Sequence, residues 1–420
     1  MQTPPLFLSK QSFFYTILAL FILFCIRITY VYTDYKDFIT KPFYFTHAKV
    51  ISSKPKAKND KQYSVIKAKS SDGLSFFTVY FDDKMIVPNS DIRVQLFPDE
   101  SIGFFDYLGT FFINSKIKSI ISPDTSKGSL SKKVRAVHQD PRVASFYNGI
   151  FFATPLSQET RDVVTKLGVA HLVALSGFHL GILWSVIFAL SLLLYRPLQA
   201  RFFPYRNALL DVGAVAVLTL AFYLWYVGFP PSLTRAFTMV FLGWIFLLVG
   251  LEILSFEFLA FIIALLLVLL PSFLVSLSFW FSVAGVFYIF LVLKWFEKSS
   301  KIMIAILYIP FGIFLLMLPI THIFFGVTNI YQLSSPLLSL LFIPFYPLSI
   351  LLHLIGFGAL FDPLLVTLFD LPNRAVTKEV FVSPYLALGY IVLSILAIRY
   401  RYLFFALLVY ALLLSLYIFT

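Results

Sequence analysis

Residues His171–Gly181 read HLVALSGFHLG: two imidazoles, a hydroxyl and two glycines at the head of a long apolar run. Three chemistries fit those residue types. Histidines can hold a metal ion, but His171 and His179 stand eight residues apart, about 12 Å along an unbroken helix. One ion could take both only if the helix breaks at Ser176-Gly177, and no third ligand is spaced nearby. Ser176 could act as a nucleophile, with a base from His179, poorly aimed three residues on, or from His322 or His353. The third possibility is a polar kink, in which small residues allow close packing and the hydroxyl and imidazoles bond across a bundle.

A second stretch, GFPPSLTRAFTM, adds a permanent cation. Pro230-Pro231 must break a helix, and Ser232 and Thr234 can satisfy the freed backbone groups. Arg235 beside such a break points to an aqueous path for anions; an arginine snorkelling to the interface is the alternative. The other ionisable groups on apolar stretches are Asp211, His353 and Asp362. At membrane depth each costs about 2.5–3.5 kcal/mol to insert, so such groups line a cavity or a protein interior.

The elements that must position these groups are membrane spans. Of the 420 residues, 59% are hydrophobic, and several runs of about 20 apolar residues are long enough to cross a layer of roughly 30 Å. Spans are expected at residues 13–32, 171–195, 207–227, 233–250, 257–271, 273–293, 302–321, 330–353, 356–370, 384–398 and 402–418. That makes a polytopic helical protein of about 10–11 spans. The first run, Phe13–Tyr32, carries Arg27 and lacks a small-residue cleavage site, which argues against a signal peptide. The single Cys25 excludes an intramolecular disulfide and a cysteine metal cluster. The net charge of +12 is compatible with basic membrane loops and with a polyanionic partner alike.

Residues 33–145 form the extended polar stretch. QYSVIKAKS and LSFFTVYFD alternate in character around a Ser-Asp-Gly turn, and SDIRVQLFPD puts Ile92, Val94 and Leu96 on one face and Arg93 and Gln95 on the other. Pro88-Asn89-Ser90 supplies a turn before it. A small antiparallel β-barrel or sandwich, OB-like in kind, is expected over residues 33–100. Amphipathic connecting helices are expected over 101–170, one in SIGFFDYLGTFFINSKIKSII and one capped by Ser157 with Glu159 in its first turn. The polytopic core takes 171–420, and residues 1–12 precede the first span. Basic loops around Arg196–Arg206, Lys294–Lys301 and Arg399–Arg401 fall on one side if every span is counted. This puts the N-terminus in the cytoplasm and the β domain outside the cytoplasmic membrane.

The sequence resembles the ComEC competence family. GVAHLVALSGFHLGIL is similar to the family's Gly-X-X-His-Leu-X-Ala-X-Ser-Gly-X-His signature, and GFPPSLTRAFTM to its Gly-Phe-X-Pro-Ser-X-X-Arg-Ala segment. LLPSFLVSLSFWFSVAGV and FFDYLGTFFINSKI resemble two further family stretches. The likeness covers roughly residues 40–350. It implies a channel, not an enzyme, that passes single-stranded DNA across the cytoplasmic membrane in natural transformation. His171, Ser176, Gly177 and His179 fall on the first motif and Ser232, Arg235 and Ala236 on the second, and these would line the DNA path. Two departures stand out. The family's Gly-Asp is here Gly149-Ile150, and no His-X-His cluster of the metallo-β-lactamase-like domain carried by many relatives is present. A short member lacking that domain is expected, with strand degradation left to another protein.

No cofactor or metal is expected. Besides single-stranded DNA and lipid, the expected partners are an extracytoplasmic DNA receptor and a cytosolic motor or single-strand-binding proteins. Lys54, Lys56, Lys58 and Lys61 are candidates for gathering DNA on the β domain. Two other classes compete. ALSG also resembles the serine loop of rhomboid-type intramembrane proteases, with alanine in place of their first glycine, which keeps a serine hydrolase open. A small-anion transporter is the other, mildly disfavoured by the β domain.

Overall fold

The computed structural model describes residues 7, 9–58, 61–81, 90–121, 126–248 and 255–420. The chain forms two compact units, one from residues 6–128 and 257–280, the other from 129–256 and 281–420.

The first unit opens with helix α1 (Lys10–Ile39). Ser9 caps it by accepting the Ser12 N–H at 3.1 Å. Its last turn is anchored: Phe38 joins the core of a β-sheet, and the Tyr35 hydroxyl donates to the Ile102 carbonyl at 2.8 Å. The sheet comprises β1 (Tyr44–Lys58), β2 (Lys61–Ser70), β3 (Ser75–Tyr80), β4 (Asp91–Phe97), β5 (Phe111–Phe112) and β6 (Asn114–Ile121) in the order β5-β3-β2-β1-β4-β6. All pairs are antiparallel except β3 with β5, so the sheet is mixed. Between β2 and β3 the turn needs Gly73, at φ +91°. Asp72 pins that turn by accepting from the Tyr44 and Thr46 hydroxyls, each at 2.9 Å. Alternation fills the core, with Ile92, Val94 and Leu96 buried against Val50, Ile66, Ala68 and Phe76.

Residues 101–121, expected as an amphipathic helix, hold only the short helix α2 (Phe104–Leu108) before the chain enters β5 and β6. From Phe111 onward the chain is organised with period two. Phe111 and Ile113 are buried, Ile117 and Ile120 pack on the core, and Lys116 and Lys118 stand exposed between them. The expected turn at Pro88-Asn89 lies outside the described residues, as do the side chains of Lys58 and Lys61.

In the second unit, α3 (Ser126–Val137), α4 (Pro141–Phe152), α5 (Gln158–Lys166) and α6 (Ala170–Val173) lead into α7 (Gly177–Phe202), α8 (Ala208–Val227) and α9 (Pro231–Leu248). There follow α10 (Phe256–Leu269), α11 (Leu277–Trp295), α12 (Lys301–Phe324), α13 (Ser335–Leu354), α14 (Asp362–Asp370), α15 (Pro384–Leu396) and α16 (Arg401–Phe419), with much of residues 256–280 belonging to the first unit. Ser157 caps α5 by accepting the Thr160 N–H at 3.3 Å. A two-stranded pair joins β7 (Val327–Thr328) to β8 (Lys378–Glu379). Among the described residues, seven helical segments are long and apolar enough to cross a membrane: α1, α7, α8, α11, α12, residues Ile330–Leu354 and α16. α9, α10 and α15 are apolar but shorter.

The expected span at 356–370 is absent. Gly356 turns the chain at φ +88°, a 3₁₀ turn follows at Gly358–Phe361, and Asp362-Pro363 starts α14 afresh. Its nine residues reach about 14 Å, half the thickness of the hydrocarbon layer.

Candidate functional site

The His171–His179 motif folds as a broken helix. α6 ends at Val173, Ala174 to Ser176 run extended, and α7 begins at Gly177. Ser176 is the N-cap, with φ −138° and ψ −179°, and its backbone N–H donates to His179 Nδ1 at 3.3 Å. The side chain of N3 thus closes back on the cap, a capping box built with imidazole in the usual place of a carboxylate. A serine with a histidine three residues on is what that turn uses. His171 reaches the other way, its Nε2 lying 3.4 Å from Ser339 Oγ on α13. His179 is fully buried, with the rings of Phe342 and Tyr346 edge-on at 5.1 and 4.9 Å.

The second break lies between α8 and α9. Gly228 and Phe229 both adopt positive φ, +83° and +53°, and Pro231 opens α9. The two breaks are fastened together. Ser232 Oγ donates to the Leu175 carbonyl at 2.6 Å, satisfying a backbone group that the first break leaves exposed. Gly177 packs on Ala236, where an added Cβ would stand 3.3 Å from the alanine Cβ. Arg235 sits between these contacts in sequence and is only 5% exposed.

The structure therefore brings Ser176, Gly177, His179, Ser232 and Arg235 to one junction, with His171 on its margin. Ser176 Oγ lies 3.4 Å from His179 Nδ1, an atom already occupied by the Ser176 N–H. The other candidate bases are engaged elsewhere: His322 with the Leu318 carbonyl and Thr328, His353 with Ser349 and His138. No described base is free to activate the serine.

Two further groups sit differently from expectation. Asp211 is at the first turn of α8, bonded to Arg206 at 2.6 and 2.8 Å and to the Tyr195 hydroxyl at 2.6 Å, an ion pair at a helix end. His353 and Asp362 meet His138, which the sequence does not single out.

A sequence model of the family described as competence protein matches residues 153–419, from the end of α4 to the end of α16, and so takes in both breaks. The chain belongs to the competence protein family. No curated protein and no solved structure matches it. Family membership supports a role in competence and DNA uptake, and with seven helical segments long enough to cross a bilayer it makes this a multi-pass membrane protein.

Proposed function

We propose that this competence-family protein is a channel that conducts single-stranded DNA across the cytoplasmic membrane, with its constriction at the junction of the α6–α7 and α8–α9 breaks. The observation that carries this reading is Arg235, a permanent cation buried on the turn of α9 whose Ser232 and Ala236 fasten it to the first break. A strand in transit brings a negative charge with every phosphate, and a buried guanidinium favours each as it passes. In the conformation described here the junction is packed, so conduction requires the Ser232–Leu175 and Gly177–Ala236 contacts to part together with the leucine packing of Leu175 and Leu180 on Leu224 and Leu233.

The β domain is read as OB-like and extracytoplasmic. One run, residues 111–121, pairs through β5 with β3 and through β6 with β4, the outer strands of the β3-β2-β1-β4 sheet. The outward face supports a role in gathering DNA. Register places Lys56 beside Tyr63, Lys54 beside Val65, and Lys67 beside Phe77, which in turn neighbours Phe112. Lys54, Lys56 and Phe112 are exposed; Lys67 Nζ lies 5.3 Å from the Phe77 ring centroid, and Tyr63 meets Phe81 at 6.1 Å. Lysines alternating with flat rings suit a strand whose phosphates and bases must be held without sequence preference.

The test is transformation frequency with protein level in the membrane matched. Arg235→Leu is expected to lower it at least about tenfold, the size of one charge-assisted hydrogen bond, and Arg235→Lys to retain part of it. Uptake by Arg235→Leu at the wild-type level would take the arginine out of the path.

A further inference from the structure

We propose that His138, His353 and Asp362 form a proton-binding site that fastens the segment between α3 and α4 to the ends of α13 and α14. The hydrogens of this cluster can be counted from its contacts. A carbonyl oxygen only accepts, so the 2.7 Å contact between His353 Nδ1 and the Ser349 carbonyl fixes a hydrogen on Nδ1. In the neutral ring, Nε2 is then a bare lone pair. The Asp362 oxygens lie 2.9 and 3.0 Å from His138 Nδ1, which fixes a hydrogen there when the acid is ionised and leaves that Nε2 bare too. Yet the two Nε2 atoms face each other at 3.0 Å. Two lone pairs do not meet at that distance, so one more hydrogen lies between them.

With it, the set is a carboxylate, an imidazolium and a neutral imidazole, with net charge zero and every ring nitrogen partnered. The same total results if the hydrogens shift along the chain and the acid carries one. The surroundings bury His138 and leave His353 and Asp362 half-buried. The His138 side chain is fully buried, Tyr147 stacks on it at 4.5 Å and meets His353 edge-on at 4.7 Å, and Phe151 closes the other side of His353 at 5.0 Å. Gly358 makes room for the ring, since a Cβ there would fall 2.8 Å from His353 Cδ2. The groups facing the imidazoles are, among the described residues, Asp362 from α14, the Tyr147 phenol from α4 and the Ser349 carbonyl from α13. Asp140 and Arg142, close in sequence, pair with each other and with Asp370.

Losing the proton leaves a half-buried negative charge without its counter-ion and two opposed lone pairs, and the fastening opens. Above about pH 6.5 the separated imidazoles are both neutral while the folded cluster keeps one proton more, so over that range stability falls as pH rises. The test is thermal unfolding of the full-length protein in detergent from about pH 6.5 to about pH 9, for wild type, His353→Gln and His353→Phe. The glutamine amide can donate to the bare His138 Nε2, keeping the bond without the extra proton; phenylalanine cannot bond at all. Wild type is expected to lose about 2–4 °C more than His353→Gln across that range, and His353→Phe to unfold lower at every pH. Should His353→Phe fail to fold, the wild-type and glutamine proteins still decide the matter. A wild-type pH slope in His353→Gln overturns the proposal. So does a fall in the wild-type midpoint on adding EDTA, which would make the bound cation a metal.

Discussion

Asp140 shows how one carboxylate can serve two interactions at once. It caps α4 by accepting the Arg142 N–H at 2.7 Å, and the same residue's guanidinium returns to it at 2.8 Å while reaching Asp370 at 2.8 Å. The Arg142 hydrogen bonds hold its carboxyl below the usual carboxylate range. A lowered value means stability that is present above about pH 4 and lost as pH falls through the depressed value. Asp140→Asn keeps a cap oxygen but loses the charge that Arg142 meets, so it should lower stability near neutrality by about 0.5–1 kcal/mol. That gap from wild type should close in acid, and a gap that stays constant down to about pH 3 would show that charge has no part in it. This capping arrangement is within reach of the sequence, since Asp140-Pro141 is a helix start. The Ser176-Gly177 break is legible as a possibility for the same reason: local backbone chemistry leaves local marks. His138 leaves none. Its partners are 215 and 224 residues away, and nothing in a lone histidine before a helix cap says which distant side chains will meet it.

Elements are legible where one period dominates. In β4 the alternation of Ile92, Val94 and Leu96 has a single buried face to fill, and the register with β1 follows from it. Residues 101–121 mix two periods, a helical Phe104–Leu108 and an alternating stretch after Phe111, and the helical opening masks the alternation that follows. The β2–β3 face is also a property of elements. No single lysine there is distinctive, but strand pairing sets Lys54, Lys56 and Lys67 beside Tyr63, Phe77 and Phe112 on one surface. If that surface holds single-stranded DNA, Phe77→Ala in the full-length protein in lipid nanodiscs should weaken binding of an oligonucleotide about fivefold or more, with little change in salt dependence. Lys54→Ala with Lys56→Ala should instead flatten the salt dependence, by about 0.7 in slope for each phosphate no longer neutralised. Equal effects of both changes on the slope would mean that the rings do no stacking.

The whole molecule's path through the membrane follows from two pairings far apart in sequence. Val327 pairs with Glu379 and Thr328 with Lys378, so the chain returns after α13 and α14 to the side from which α13 began. Lys378 Nζ also donates to the Thr420 carbonyl at 2.8 Å, so α15 and α16 likewise begin and end on one side, with Arg399 and Arg401 at the far turn between them. A full span at 356–370 would give these arginines the same side as the other basic loops. That span is absent, but the return after α13 and α14 leaves the count of sides unchanged, and the arginines still fall with Arg196–Arg206 and Lys294–Lys301. By the preference of basic loops for the cytoplasm, β7 and β8 are expected on the outer side, the side proposed for the β domain. In a Cys25→Ser background, Glu379→Cys and Lys56→Cys should react with a membrane-impermeant maleimide in intact spheroplasts, and Arg401→Cys only after permeabilisation. Labelling of Glu379→Cys and Arg401→Cys from one side would mean that α15 does not cross. The outer placement of the β domain would then rest on α1 alone, where Arg27 is the single basic residue inside the first apolar run.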